Sequence, residues 1–148
     1  MIRFQFPVEV ARPVHEVFAY VTDPANLPEW QETERVEQLT PGAVAAGTRF
    51  REVHQVLGRR LESISEVSAY EPERRFDLRI VSLPARVADR WTFEAIPGGT
   101  RVHFMTEGRA RTPFRPVERM LAGVLERRRR ENHARLKRAL ETRGAEFT

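Results

Sequence analysis

The chain has 148 residues, with 25 Lys+Arg, 21 Asp+Glu, 4 His and no Cys. That length suits one domain, 1–148, and 41% hydrophobic residues suffice to close a core. The absence of cysteine excludes thiolate zinc sites, CxxC redox pairs and a Cys nucleophile, and no apolar run approaches the about 20 residues of a membrane span.

Ile2, Phe4, Phe6, Val8 and Val10 alternate with Arg3, Gln5 and Glu9, the pattern of a strand with one buried face. This N-terminus lacks the apolar stretch of a signal peptide, so a cytoplasmic location is expected. Pro13 suits the first position of a helix striped by Val14, Val17, Phe18 and Val21, and Asp23-Pro24 stops it, because a residue before proline avoids helical dihedrals. Asn26–Trp30 reads as a second short helix or turn, 41–47 as a loop, and Val36–Leu39 as a short strand. Strands then follow at 48–57, 60–70, 75–83, 86–95 and 100–110, broken at Gly58, Glu71-Pro72, Pro84 and Pro97-Gly98-Gly99. Past Pro113 and Pro116 the period becomes helical to about Arg143, with Gly144 placed as a C-cap. The expected fold is α+β: a curved antiparallel sheet of six to seven strands, two short helices after the first strand, and a long C-terminal helix gripping the concave face.

The runs PVHEVFAYVTDPANLPEW, GTRFREVHQVLGRR, EVSAYEPERRF, GGTRVHF and RLKRALE, in that order, resemble the START-like (SRPBCC) superfamily, which includes polyketide cyclase/dehydrase-like and lipid-transfer proteins with the helix-grip fold. The resemblance covers nearly the whole chain and is carried by turns and core positions. It implies an apolar or amphipathic ligand (lipid, polyketide-like or aromatic) held between sheet and long helix. Only some members of the superfamily are enzymes.

Hairpin register follows from burial, since a one-residue slip exchanges the faces of a strand. A loop at Ile96–Gly99 pairs Ala95 with Thr100, Phe93 with Val102 and Trp91 with Phe104. The large apolar side chains then share one face with Asp89 and Thr106, while Glu94 opposes Arg101 outside. A two-residue loop at Gly58-Arg59 pairs Val56 with Leu61, His54 with Ser63, Glu52 with Ser65 and Phe50 with Val67. Glu52, His54, Ser63 and Ser65 then point inward, on the face shared by Phe76, Leu78 and Ile80. On the long helix, Val117, Met120, Leu121, Val124 and Leu125 form a stripe that resumes at Leu136, Ala139 and Leu140 and places Arg128 and Asn132 beneath it.

The candidate ligand walls are therefore Phe50, Leu78, Trp91, Phe93, Phe104, Met120 and Val124, and the resemblance implies that the segment carrying Trp30 caps one end, where Trp30 either stacks on a ligand or packs under the loop. Ser63, Ser65, Asp89, Arg128 and Asn132 supply polar positions; Asp89 reads either as a strand-end charge near solvent or as a buried carboxylate. Glu52 and His54 are the candidate catalytic pair, because residues two apart on a strand share a face. A carboxylate there can orient an imidazole, and cyclisation or dehydration of a β-keto chain needs a base at an α-proton and an acid at a leaving oxygen. The bland reading of the same pair is a satisfied polar couple at the cavity mouth, balanced by Arg128.

His15, His54, His103 and His133 lack metal-ligand spacing, and no nucleotide, dinucleotide or serine-hydrolase motif occurs, so neither metal nor cofactor is expected. Arg127–Arg130 is flanked by Glu126 and Glu131 and has no aromatic neighbour on its helix, so it reads as a solvated face rather than a nucleic-acid surface. Three functions stay open. One is binding of a small hydrophobic molecule by a monomer or homodimer, another a cyclase/dehydrase-type enzyme using Glu52 and His54, and the third an adaptor docking an acidic partner through the Arg-rich helix.

Overall fold

Alternation along the strands produces a single antiparallel sheet of seven strands, and the C-terminal helix lies across its inner face. The computed structural model describes residues 1–56 and 58–146. In chain order the elements are β1 (Ile2–Val10), α1 (Val14–Thr22), a 3-10 turn (Pro24–Asn26), α2 (Leu27–Trp30), β2 (Thr33–Gln38), β3 (Arg49–Val56) and β4 (Arg59–Glu71). There follow β5 (Arg75–Ser82), β6 (Ala85–Ile96), β7 (Gly99–Ala110), a 3-10 turn (Arg115–Val117) and α3 (Glu118–Glu146). The strand order β1-β7-β6-β5-β4-β3-β2 is a meander closed by β1. This is the expected α+β helix-grip arrangement.

Two helix boundaries differ from expectation. Pro13 keeps an extended ψ of 149° and stands just before α1 rather than as its first helical residue. Gly144 is helical, because α3 continues to Glu146 instead of ending in a glycine cap. Among the described residues, no helix is long and apolar enough to cross a membrane.

The β6–β7 register is the expected one, with Trp91 opposite Phe104, Phe93 opposite Val102 and Glu94 opposite Arg101. The β3–β4 hairpin differs by two residues: Val56 pairs with Arg59, His54 with Leu61, Glu52 with Ser63 and Phe50 with Ser65. Gly58 supplies the left-handed conformation, φ 76°, that a tight turn one residue earlier requires. An even slip leaves every side chain on its expected face, so Glu52, His54, Ser63 and Ser65 still share the inner side. A bulge between Val67 and Ala69 then shifts the alternation and turns Tyr70 toward Phe18 and Phe76.

The core is aromatic. Trp91 lies 4.9 Å from Phe104 between ring centroids, Phe104 5.4 Å from Phe6, and Phe18 of α1 meets Phe93 edge-on at 5.1 Å. The C-terminal half of α3 seats here through Leu136 and Leu140 and is tied to β1 by Lys137 donating to the Glu9 carbonyl at 2.6 Å.

Candidate functional site

Toward its N-terminal half, α3 stands off the sheet and leaves a cavity of about 200 Å³. The sheet contributes Glu52, His54, Leu61, Ser63, Leu78, Ile80, Val87, Asp89 and Trp91, the helix Leu121, Val124, Leu125, Arg128, Arg129 and Asn132, and Gln31 and Glu32 stand at one end. Most of this wall is hydrocarbon, with a few polar groups placed among it.

Glu52 is 5% exposed and accepts a 3.3 Å hydrogen bond from Thr33. Burial pushes its carboxyl above the usual range, partly offset by Arg129 and Thr33. His54 Nε2 lies 2.9 Å from Ser63 Oγ, and burial, reinforced by Arg129 and Arg128, holds its imidazole below the usual range. Glu52 and His54 thus share a wall, yet each bonds a different neighbour instead of the other. The carboxylate-on-imidazole couple expected from their spacing is not formed.

Asp89 overturns the near-solvent reading: it is 1% exposed. Its Oδ1 accepts from Thr106 at 2.8 Å, and Arg129 Nη2 approaches Oδ2 to 2.9 Å as an ion pair. That approach is not aligned as a hydrogen bond, and Asp89 Oδ2 and Arg129 Nε have no hydrogen-bond partner in the protein. Burial drives the Asp89 carboxyl upward against the pull of Arg129 and Thr106. At the rim, Arg128 Nη2 donates to Glu32 at 2.6 Å and lies 3.5 Å from the Gln55 carbonyl oxygen. Asn132 accepts from Arg135, which also donates to the Trp30 carbonyl at 3.3 Å.

Not every expected wall residue reaches this cavity. Trp30, Phe50 and Ser65 line a neighbouring void of about 20 Å³, room for about one water. Phe93 and Phe104 lie in the aromatic core, held there by Phe18 and by Phe6 with Trp91. Met120 is 62% exposed and faces solvent, because the cavity takes the helix face carrying Leu121, Val124 and Leu125. The arginine run is not one solvated face either: Arg127 and Arg130 are exposed, whereas Arg128 and Arg129 turn toward the cavity.

Two structural keys, Arg129 and His133, figured in the sequence reading only as part of a solvated arginine run and as a histidine without metal-ligand spacing. Trp91 Nε1 donates to His133 Nε2 at 3.0 Å, so the proton sits on Nδ1, which donates to the Arg129 carbonyl at 2.7 Å. Burial depresses the His133 pKa to about 4, so the ring is neutral at physiological pH. The signal was present: stepping by four from Leu121 gives Leu125, Arg129 and His133 before Leu136 and Leu140.

A protein family described as polyketide cyclase/dehydrase and lipid transport matches residues 1–141. Curated protein sequences give no match. Among solved structures, the Zhui aromatase/cyclase from a Streptomyces species superposes with a TM-score of 0.82 at 19% identity, covering 95% of this chain and 94% of that one. A START superfamily protein from Mycobacterium smegmatis gives 0.80 at 14% identity, covering 95% and 97%. At such identities the likeness is one of fold.

Proposed function

The chain belongs to the polyketide cyclase/dehydrase and lipid transport family, and from that premise we propose that residues 1–148 act as one domain binding a small hydrophobic or amphipathic molecule in the cavity under α3. The observation that carries the reading is a mostly hydrocarbon wall with a few fixed polar groups, the usual make-up of a ligand pocket. Size narrows the class. A cavity of about 150 Å³ admits benzene, so about 200 Å³ suits a one- or two-ring compound or a short branched chain. In this reading the protein works in the cytoplasm, as a monomer or homodimer, without a cofactor.

The test is a fluorescence and thermal-shift panel of neutral one- and two-ring aromatics and medium-chain alkanols. A ligand selective for the folded state raises stability by about 2.7 kcal/mol at a hundred times its Kd. Val124→Phe fills the cavity and is expected to abolish saturable binding while leaving the fold intact. Binding that survives this substitution places the ligand elsewhere.

One observation favours a second reading, an enzyme of the cyclase/dehydrase type. Burial drives Glu52 toward its protonated form and His54 toward its neutral form on the same wall, leaving an acid and a base ready for one bound molecule. The Glu52 carboxyl would protonate a leaving oxygen and the His54 imidazole would take an α-proton. Lost turnover with retained binding in Glu52→Gln and His54→Gln supports it; unchanged turnover in both removes it. The adaptor reading gains nothing comparable, since the arginine run divides between cavity and solvent.

A further inference from the structure

We propose that the cavity selects uncharged, oxygen-bearing ligands and excludes carboxylates, because Asp89 and Glu32 already occupy the guanidinium groups that a ligand anion would need. The proposal rests on the cavity-binding reading and specifies its ligand class.

Arg128 and Arg129 are the two arginines on the cavity wall. Arginine stays charged in any protein setting, so each requires a counter-ion. Arg129, with a side chain 13% exposed, has Asp89 at 2.9 Å, and Asp89 is itself fixed by Thr106 at 2.8 Å. Arg128 has Glu32 at 2.6 Å. Asp89 thus stands where a ligand carboxylate would have to bind. A ligand carboxylate at Arg129 would also lie beside Asp89, which already pairs with that guanidinium.

An uncharged oxygen meets no such obstacle. The Asn132 amide on the cavity wall, whose Oδ1 is taken by Arg135, can donate its Nδ2–H to a carbonyl or ether oxygen without adding charge. Glu52, on the same wall, is a second donor whenever it holds its proton. Asp89 and Glu32 are in this sense specificity residues: they need not touch the ligand, only keep the arginines engaged.

2-Acetonaphthone and 2-naphthoate share a ring system and nearly the same outline, and at neutral pH they differ in charge. Titration of the full chain is expected to give the ketone a Kd at least about tenfold below that of naphthoate. Asp89→Asn releases Arg129 and is expected to shift the naphthoate-to-ketone affinity ratio about tenfold toward naphthoate. Should that variant fold poorly, Glu32→Gln releases Arg128 from the exposed rim and should strengthen naphthoate by about threefold. Naphthoate binding the unmodified protein as tightly as the ketone overturns the proposal and leaves the cavity reading standing. A preference that neither substitution moves does the same. No saturable binding by either probe overturns the cavity reading and this proposal together.

Discussion

The two halves of α3 rest on opposite kinds of surface. From His133 onward it lies on packed rings and hydrocarbon, with Leu136 fully buried and Leu140 3% exposed. Before that point it spans a hollow, with Leu121, Val124 and Leu125 only half-buried and polar groups across the gap. One continuous helix therefore meets two surfaces: the later half holds it to the sheet, and the earlier half roofs the cavity. A helix fully seated along its length would leave no room to bind.

The largest effect that tests this contrast is truncation in each half. Leu136→Ala is expected to cost about 2–5 kcal/mol and Val124→Ala less than about 1 kcal/mol, because a side chain already facing a void loses few neighbours. Urea unfolding midpoints compare the two, and equal losses would break the contrast.

The next effect is a pH dependence that His133 gives the packed half. The His133 pKa falls from 6.5 to about 4 on folding, so the unfolded chain binds the proton more readily. The stability His133 contributes is complete above pH 6.5 and is lost as pH falls toward about 4, a loss of about 3 kcal/mol. Unfolding free energies across that window should show the slope, and His133→Gln should flatten it.

For the buried Glu52 carboxyl of the cavity half the sign reverses. The Glu52 carboxyl is raised in the fold, so its contribution is most favourable below the unfolded value of 4.5 and is lost as pH rises through the folded value. Glu52→Gln should therefore raise the melting temperature at mildly alkaline pH and give no gain in acid. A melting temperature lowered by Glu52→Gln at alkaline pH would show that the buried carboxyl stabilises the fold there. The smallest effect belongs to the rim: Arg128→Met should change stability by less than about 1 kcal/mol, as expected of a partly exposed ion pair.

Where sequence and structure agree, local rules sufficed. Trp91 and Phe104 had to oppose each other because any odd slip scatters large apolar groups across both faces. The β3–β4 hairpin missed by two residues without moving one side chain to the wrong face, since parity and not register decides what is buried. The misses come from contacts distant in the chain. Asp89 looked like a strand-end charge because its partner, Arg129, lies on another element within a run of arginines that suggested solvent. His133 went unassigned because its acceptor role depends on Trp91, 42 residues earlier. Met120 failed for a geometric reason: the apolar arc of α3 is wider than the gap it covers.

His133, held at both ring nitrogens, fixes more than the position of α3. Nε2 answers to the sheet and Nδ1 to the helix's own preceding turn, so the helix can neither roll about its axis nor slide by a turn without giving up the indole. Successive helical residues differ in direction by about 100°. Deleting a single residue between Leu125 and Arg128 would leave Leu136 and Leu140 seated while swinging Leu121 and Leu125 out of the cavity roof. The helix thus has its zero of phase at His133, and each roof residue takes its direction from its count back to that ring.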